Sequence, residues 1–186
     1  MNAIFLDFLN SDWRDYRGSG QCEDRLRNAE WMNRFLEKWK LKVESRPTKS
    51  TFESLTDLRS ALRRMVEAIT NGKSPADKDI ERLNEALSLS TPKRLLIYNR
   101  GDYSIKAVAP RRDWNWVQSE IAASFADLVT NHDPTRIKRC ENDDCRWVFY
   151  DESKSHSRRW CADSCGNLLK VRRFRNVQRQ AMKHKK

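Results

Sequence analysis

Cys140-Glu141-Asn142-Asp143-Asp144-Cys145 and Cys161-Ala162-Asp163-Ser164-Cys165 hold four of the chain's five cysteines, with fifteen residues between the two pairs. Zinc takes four tetrahedral thiolate or imidazole ligands, and two close pairs joined by a short hairpin bring four sulfurs to one point. Read otherwise, the same residues would be two disulfides or inert buried thiols. Met1 to Leu9 is apolar but is broken by Asp7 and has no basic residue before it, which is not the pattern of a secretory leader. The expectation is a cytoplasmic protein, and there clustered cysteines mean metal more often than disulfides. Cys140, Cys145, Cys161 and Cys165 are thus the expected ligands of one structural Zn2+, in a closed site with no open position for catalysis. His156, between the pairs, is the one alternative ligand. Cys22 stands apart and is expected to be a small buried hydrophobe.

The residues between the pairs extend the picture. Arg146 to Tyr150 is strand-like and Asp151 to Ser157 is rich in turn formers. A helix should start at the second pair, with Asp163 or Ser164 as its cap. A knuckle, a hairpin and a helix whose first turn donates ligands make a treble-clef-like finger. On that helix Arg172, Arg175 and Arg179 follow Leu168 at steps of four, three and four, each within about 40° of Leu168 around the helix. They predict one exposed basic stripe. Val171, Phe174, Val177 and Ala181 fall on the other side and are expected to pack on the hairpin. Trp147, Phe149 and Tyr150 either fill the hairpin core or offer a stacking surface to bases.

Before the finger the pattern is helical. Asp24 to Leu41 predicts an amphipathic helix with Leu26, Trp31, Phe35 and Trp39 inward. Lys42 to Ser50 is a polar connection containing Pro47. Ser50-Thr51-Phe52-Glu53 fits a capping box. Leu55, Leu58, Leu62, Met65 and Ile69 then recur at helical steps up to Asn71-Gly72. Ser74-Pro75 predicts the start of another helix, with Ile80, Leu83 and Leu87 on its face. Arg94–Tyr98 and Tyr103–Val108 predict a hairpin around Asn99-Arg100-Gly101-Asp102, ended by Pro110. Asp113 can cap a helix carrying Trp114, Val117, Ile121, Phe125 and Leu128 on one side. His132-Asp133-Pro134 breaks it and marks a domain boundary. His132, His156 and His184 are expected in solvated loops or the tail. The predicted fold is α+β and mainly helical: a helical domain with a β-hairpin over residues 1–135, and a small four-cysteine finger ending in a basic helix over 136–186.

Asp151-x-Ser153, Arg158-Arg159-Trp160-Cys161, Cys165-Gly166-Asn167 and Lys170-Val171-Arg172-Arg173-Phe174 resemble the CGNR zinc-finger family. In that family the finger closes a protein whose N-terminal domain is called ABATE. Phe8-Leu9-Asn10-Ser11-Asp12-Trp13-Arg14, followed by a helix with Trp39, is similar to the opening of that domain. The resemblance implies a bacterial, stress-responsive transcription regulator, with DNA bound by the finger and a ligand sensed by the larger domain. It also makes Asn10 and Arg14 the candidate ligand contacts. The family's fourth signature residue is arginine, and Leu168 stands in its place.

Charge supports a polyanionic partner. The net charge is +11, and residues 138–186 hold 14 of the 37 Lys and Arg against 6 of the 26 Asp and Glu. A concentrated basic region favours nucleic acid or an anionic membrane surface. No stretch approaches the roughly 20 apolar residues of a membrane span, so no membrane role is expected. Double-stranded DNA is the expected partner, contacted by Arg158, Arg159, Lys170, Arg172, Arg173, Arg175 and Arg179, with a small-molecule effector for the N-terminal domain. The alternatives are RNA binding, or a ligand-sensing or protein-interaction module without nucleic acid. No nucleophile–base pair or nucleotide-binding glycine motif is present, so an enzyme is not expected.

Overall fold

A computed structural model describes residues 2–108 and 111–183. In chain order the elements are α1 (Ile4–Leu9), β1 (Asp12–Arg14), β2 (Cys22–Asp24), α2 (Ala29–Lys38), α3 (Lys49–Thr70), α4 (Asp77–Ser88), β3 (Lys93–Asn99), β4 (Asp102–Val108), α5 (Trp114–Asn131), β5 (Ile137–Arg139), β6 (Val148–Tyr150) and α6 (Asp163–Lys183). The strands form three separate antiparallel pairs, β1-β2, β3-β4 and β5-β6. The α+β, mainly helical class expected from the sequence is what forms. Among the described residues no helix is long and apolar enough to cross a membrane.

Apolar periodicity built the core. Leu55, Leu58, Leu62 and Met65 of α3 are buried, as are Trp114, Val117, Ile121, Phe125 and Leu128 of α5. The short α1 lies against both, with Phe5, Leu6, Phe8 and Leu9 buried. Phe5 meets Phe125 edge-on at 5.2 Å, a favoured aromatic geometry. Ile137 and Val148, from β5 and β6, belong to this same core. Packing therefore runs across the chain boundary expected near residue 135.

Several helix starts differ from expectation. The predicted 24–41 helix begins only at Ala29. Asp24 ends β2 and caps a 3-10 turn at Arg25–Arg27, and Asn28 then accepts from the Trp31 amide. Leu26 is buried from the turn, which is why the periodicity ran on. For α3 the cap is Thr48, whose hydroxyl accepts from the Thr51 amide at 3.2 Å. Ser50 and Glu53 lie inside the helix and form no capping box. Pro47 fixes the extended approach, so the hydroxyl next to it takes the role. Helix α4 begins at Asp77 with no side-chain cap, and Asp77 and Asp79 lie in its first turn, where the helix's positive end favours them. Ile80 is exposed and the buried face runs through Asp79, Leu83 and Ala86. Asp79 is accepted there because Arg64 binds both its oxygens, at 2.6 Å to Oδ1 and 3.2 Å to Oδ2.

The hairpin formed as expected around Arg100-Gly101, both at positive φ, as a two-residue turn with right-handed strand twist requires. Pro110 and His184 lie outside the described residues. Cys22 is exposed, not buried. It opens β2, opposite Arg14, at the end of a short two-stranded ribbon.

Candidate metal centre

The finger begins with β5 and β6, paired Ile137↔Tyr150, Lys138↔Phe149 and Arg139↔Val148. Between them the chain turns through Cys140–Cys145. Asn142 organises this knuckle: its carbonyl accepts from the amides of Cys145 at 2.9 Å and Arg146 at 3.3 Å, and Arg146 adopts φ 54° to complete the turn. The Cys140 amide donates back to the Trp147 carbonyl at 2.8 Å. The second pair brackets the start of α6, with Cys161 before it and Cys165 in its first turn.

All four sulfurs lie within 4.8 Å of one another. Cys145–Cys161 is 3.6 Å and Cys161–Cys165 is 3.8 Å. A tetrahedron with zinc–sulfur bonds of about 2.3 Å has edges of about 3.8 Å, so the donor set fits zinc. A disulfide would need sulfurs about 2.0 Å apart, and all four cysteines are free. His156 does not join the cluster; its ring pairs with the Arg136 guanidinium. The crowded thiols also titrate unequally. Cys145 and Cys161 donate to Cys140, which holds the Cys140 thiol far below its ordinary range and pushes theirs up. Four thiolates in one place require a dication at the centre.

Neighbouring polar groups hold the frame. Asn142, buried, donates to the Cys165 sulfur at 3.7 Å and to the Tyr16 carbonyl at 2.8 Å. Asp151 is fully buried and ties the turn together, accepting from Lys138 Nζ at 2.6 Å, the Ser153 amide at 2.9 Å and the Arg158 amide at 3.0 Å. Burial alone would raise its pKa; the Lys138 ammonium and the two amides outweigh it and hold the carboxyl well below the usual range. Gly166 lies flat under Trp160, where an added Cβ would stand 3.0 Å from the indole. Phe149, Trp147, Trp160 and Tyr16 form the finger's own small core.

The expected nucleic-acid contacts divide into two groups. Arg158 reaches the carbonyls of Trp160 and Cys161 and lies 4.9 Å over the Phe149 ring. Arg159 pairs with Glu141 and stacks on Trp160. Arg172 is docked, donating to Asp144 Oδ2 at 2.7 Å and to the Arg17 carbonyl at 2.6 Å. Lys170, Arg173, Arg175 and Arg179 are exposed and make no ion pair among the described residues. The apolar side of α6 is not packed on the hairpin as expected: Val171, Phe174 and Val177 are exposed, and the side chain of Ala181 is outside the description. Arg172 is the residue facing the body, so the helix is turned opposite to the expected sense. Leu168, one turn before it, is half-buried.

Asn10 is buried and engages both backbone groups of one residue: its side-chain amide donates to the Val148 carbonyl at 2.8 Å and accepts from the Val148 amide at 2.8 Å. Arg14 lies 3.9 Å from Asp12. Trp147, Phe149 and Tyr150 are all at least half-buried, which leaves no open three-ring platform. The roles of Asn142 and Asp144 carried no sequence signal, since polar residues are ordinary in any turn.

Two family profiles match the chain in succession. Residues 2–132 match ABATE, described as "Putative stress-induced transcription regulator", and residues 136–178 match the CGNR zinc finger. The chain belongs to the ABATE family. This ABATE protein carries a CGNR finger whose four-cysteine cluster is suited to one structural zinc. Zinc binding and a regulatory role fit that membership. A search of curated proteins finds no match. In this ABATE protein Cys165-Gly166-Asn167 supplies a sulfur and the flat contact with Trp160 from the N-terminal part of α6.

Proposed function

We propose that this chain is a cytoplasmic, DNA-binding transcription regulator. Residues 136–186 form a zinc-dependent reading head, with Cys140, Cys145, Cys161 and Cys165 as ligands, and residues 1–135 form an effector-sensing domain. The zinc supplies structure and no chemistry of its own, since four protein thiolates leave no position for water. The observation that carries the reading is the outer part of α6. At 1.5 Å per residue this helix runs about 31 Å, and from Arg173 to Gln180 every residue is exposed. Lys170, Arg173, Arg175 and Arg179 of α6 make no ion pair among the described residues. A basic helix of this kind suits a major groove or a line of phosphates. Arg158 and Arg159 line an 870 Å³ cleft with Lys138, Arg139 and His156, and Glu67 and Glu141 line it too.

An effector has better accommodation than Asn10 and Arg14 offer. A 560 Å³ groove lined by Met32, Leu36, Val43, Phe52 and Trp114 opens between α2 and the start of α3, and mixed apolar grooves of this size suit small ligands.

The test is a gel shift of the zinc-loaded chain on duplex DNA over a salt series, with Arg173→Ala, Arg175→Ala and Arg179→Ala combined. The combined variant should bind more weakly and lose about three from the log–log salt slope. Unchanged affinity would reduce these cations to a solvated surface. Tighter binding to duplex RNA at equal salt would redirect the reading to RNA.

A further inference from the structure

Strands β3 and β4 form a hairpin whose ladder runs without a bulge from Lys93↔Val108 to Asn99↔Asp102. Side chains alternate between its faces. Leu96, Tyr98, Tyr103 and Ile105 share one face and are 69%, 64%, 71% and 71% exposed. The outer edge of β4 makes no backbone hydrogen bond among the described residues. An isolated two-stranded hairpin is marginal in water, and a long uncovered edge bearing apolar side chains is a template for another strand.

The sequence of β4 indicates which strand. It reads Asp102-Tyr103-Ser104-Ile105-Lys106, and about Ser104 it is complementary to its own reverse. Set antiparallel to a second copy with Ser104 opposite Ser104, Asp102 faces Lys106 of the partner subunit and Tyr103 faces Ile105 of the partner subunit. Symmetry makes each pair occur twice. Opposite charges and aromatic–aliphatic pairs are the cross-strand combinations that stabilise a sheet. A slip of one residue sets Tyr103 opposite Lys106 of the partner subunit and loses both charge pairs. The outer edge of β3 has no such property: it carries Lys93 and Arg94 at one end and no anion.

We propose that β4 pairs edge to edge with β4 of a second copy of this chain, forming a two-fold dimer with a four-stranded sheet in the order β3-β4-β4-β3. An isologous interface needs one self-complementary patch, and β4 is that patch. The apolar residues Leu96, Tyr98, Tyr103 and Ile105 of both copies then form one continuous face. The inference rests on neither the zinc site nor the DNA reading.

The test is sedimentation equilibrium of the zinc-loaded full chain carrying Cys22→Ser, so that no exposed thiol confuses the result. A dimer is expected at micromolar concentration. Asp102→Lys alone, or Lys106→Asp alone, turns two attractive pairs repulsive and should weaken the dimer roughly tenfold. The two substitutions together should restore it. Asp102 and Lys106 are exposed, so circular dichroism should be unchanged throughout. Ser104→Cys places a thiol at the two-fold axis and should cross-link the copies on mild oxidation. A chain monomeric at every concentration, or a dimer indifferent to the single charge swaps, overturns the proposal.

Discussion

Asn10 commits both ends of its amide to the backbone of Val148, 138 residues away in sequence. Each neutral hydrogen bond contributes about 1 kcal/mol, and a buried group left without its partner costs about 1–3 kcal/mol. Asn10→Ala should therefore destabilise the protein by roughly 2–4 kcal/mol, read as a lowered urea midpoint. An Asn10 that served only a ligand would leave that midpoint in place. Arg59 is the second such residue. Buried in α3, it holds Ser11 Oγ at 2.8 Å and Asp24 Oδ1 at 2.6 Å. Burial would raise the Asp24 pKa, but the Arg59 hydrogen bond and charge outweigh it and the carboxyl ends below its ordinary 3.8. A depressed folded pKa means stability that is present above the unfolded value and lost as pH falls through the folded one. The urea midpoint of wild type should exceed that of Asp24→Asn at neutral pH, with the gap closing below about pH 4. A gap that widens in acid would assign the stabilisation elsewhere.

At the scale of elements, Gly166 sets two effects against each other. It lies in α6, where alanine is favoured over glycine by about 1 kcal/mol. An added methyl would stand 3.0 and 3.2 Å from the Trp160 indole, and overpacking of that kind costs about 1–3 kcal/mol. The indole is packed in the finger core and has little room to move. Gly166→Ala should lose about 1 kcal/mol net and release zinc to a competing chelator more readily. Equal or slower release would show that the ring gives way. The contrast between α3 and α6 explains what the sequence could convey. The faces of α3 and α5 were legible because every apolar position there is satisfied by the core, so period and burial coincide. The four cysteines were legible because their spacing encodes one point in space. In α6 the apolar and basic residues have the same period, and only a tertiary contact, Arg172 with Asp144 and the Arg17 carbonyl, decides which side faces inward. The buried Arg59 and Asp79 were illegible for a related reason. Charged residues on a helix read as surface until a partner is known, and their partners lie 35 and 15 residues away.

For the whole molecule, the finger and the N-terminal region hold each other through more than the Asn10–Val148 bonds. Ile137 and Val148 sit in the main core. Tyr16 packs in the finger core, and its carbonyl accepts from Asn142. Gly18, at φ +80°, passes so close to Asp144 and Arg172 that a Cβ would stand 2.7 and 2.8 Å from them. Zinc removal should thus act at a distance. Without the ion the four thiols regain protons and residues 138–165 lose their frame, since so small a core depends on its metal. Helices α1 to α5 keep their own buried faces and should remain folded, though less stable as Ile137 and Val148 withdraw, at about 1.5–3 kcal/mol for each side chain exposed. Asp144 lies inside the knuckle, so the Arg172 clamp goes with it and α6 loses its anchorage. Every cation of α6 survives chelation, yet their arrangement does not. The chelated protein should therefore bind duplex DNA more weakly and with a shallower salt dependence than the zinc-loaded one. Hydrogen exchange should show protection lost over residues 138–165 and kept in α3 and α5. Unchanged affinity after complete zinc removal, with the finger shown to be unprotected, would mean that charge alone and not the positioned helix does the binding.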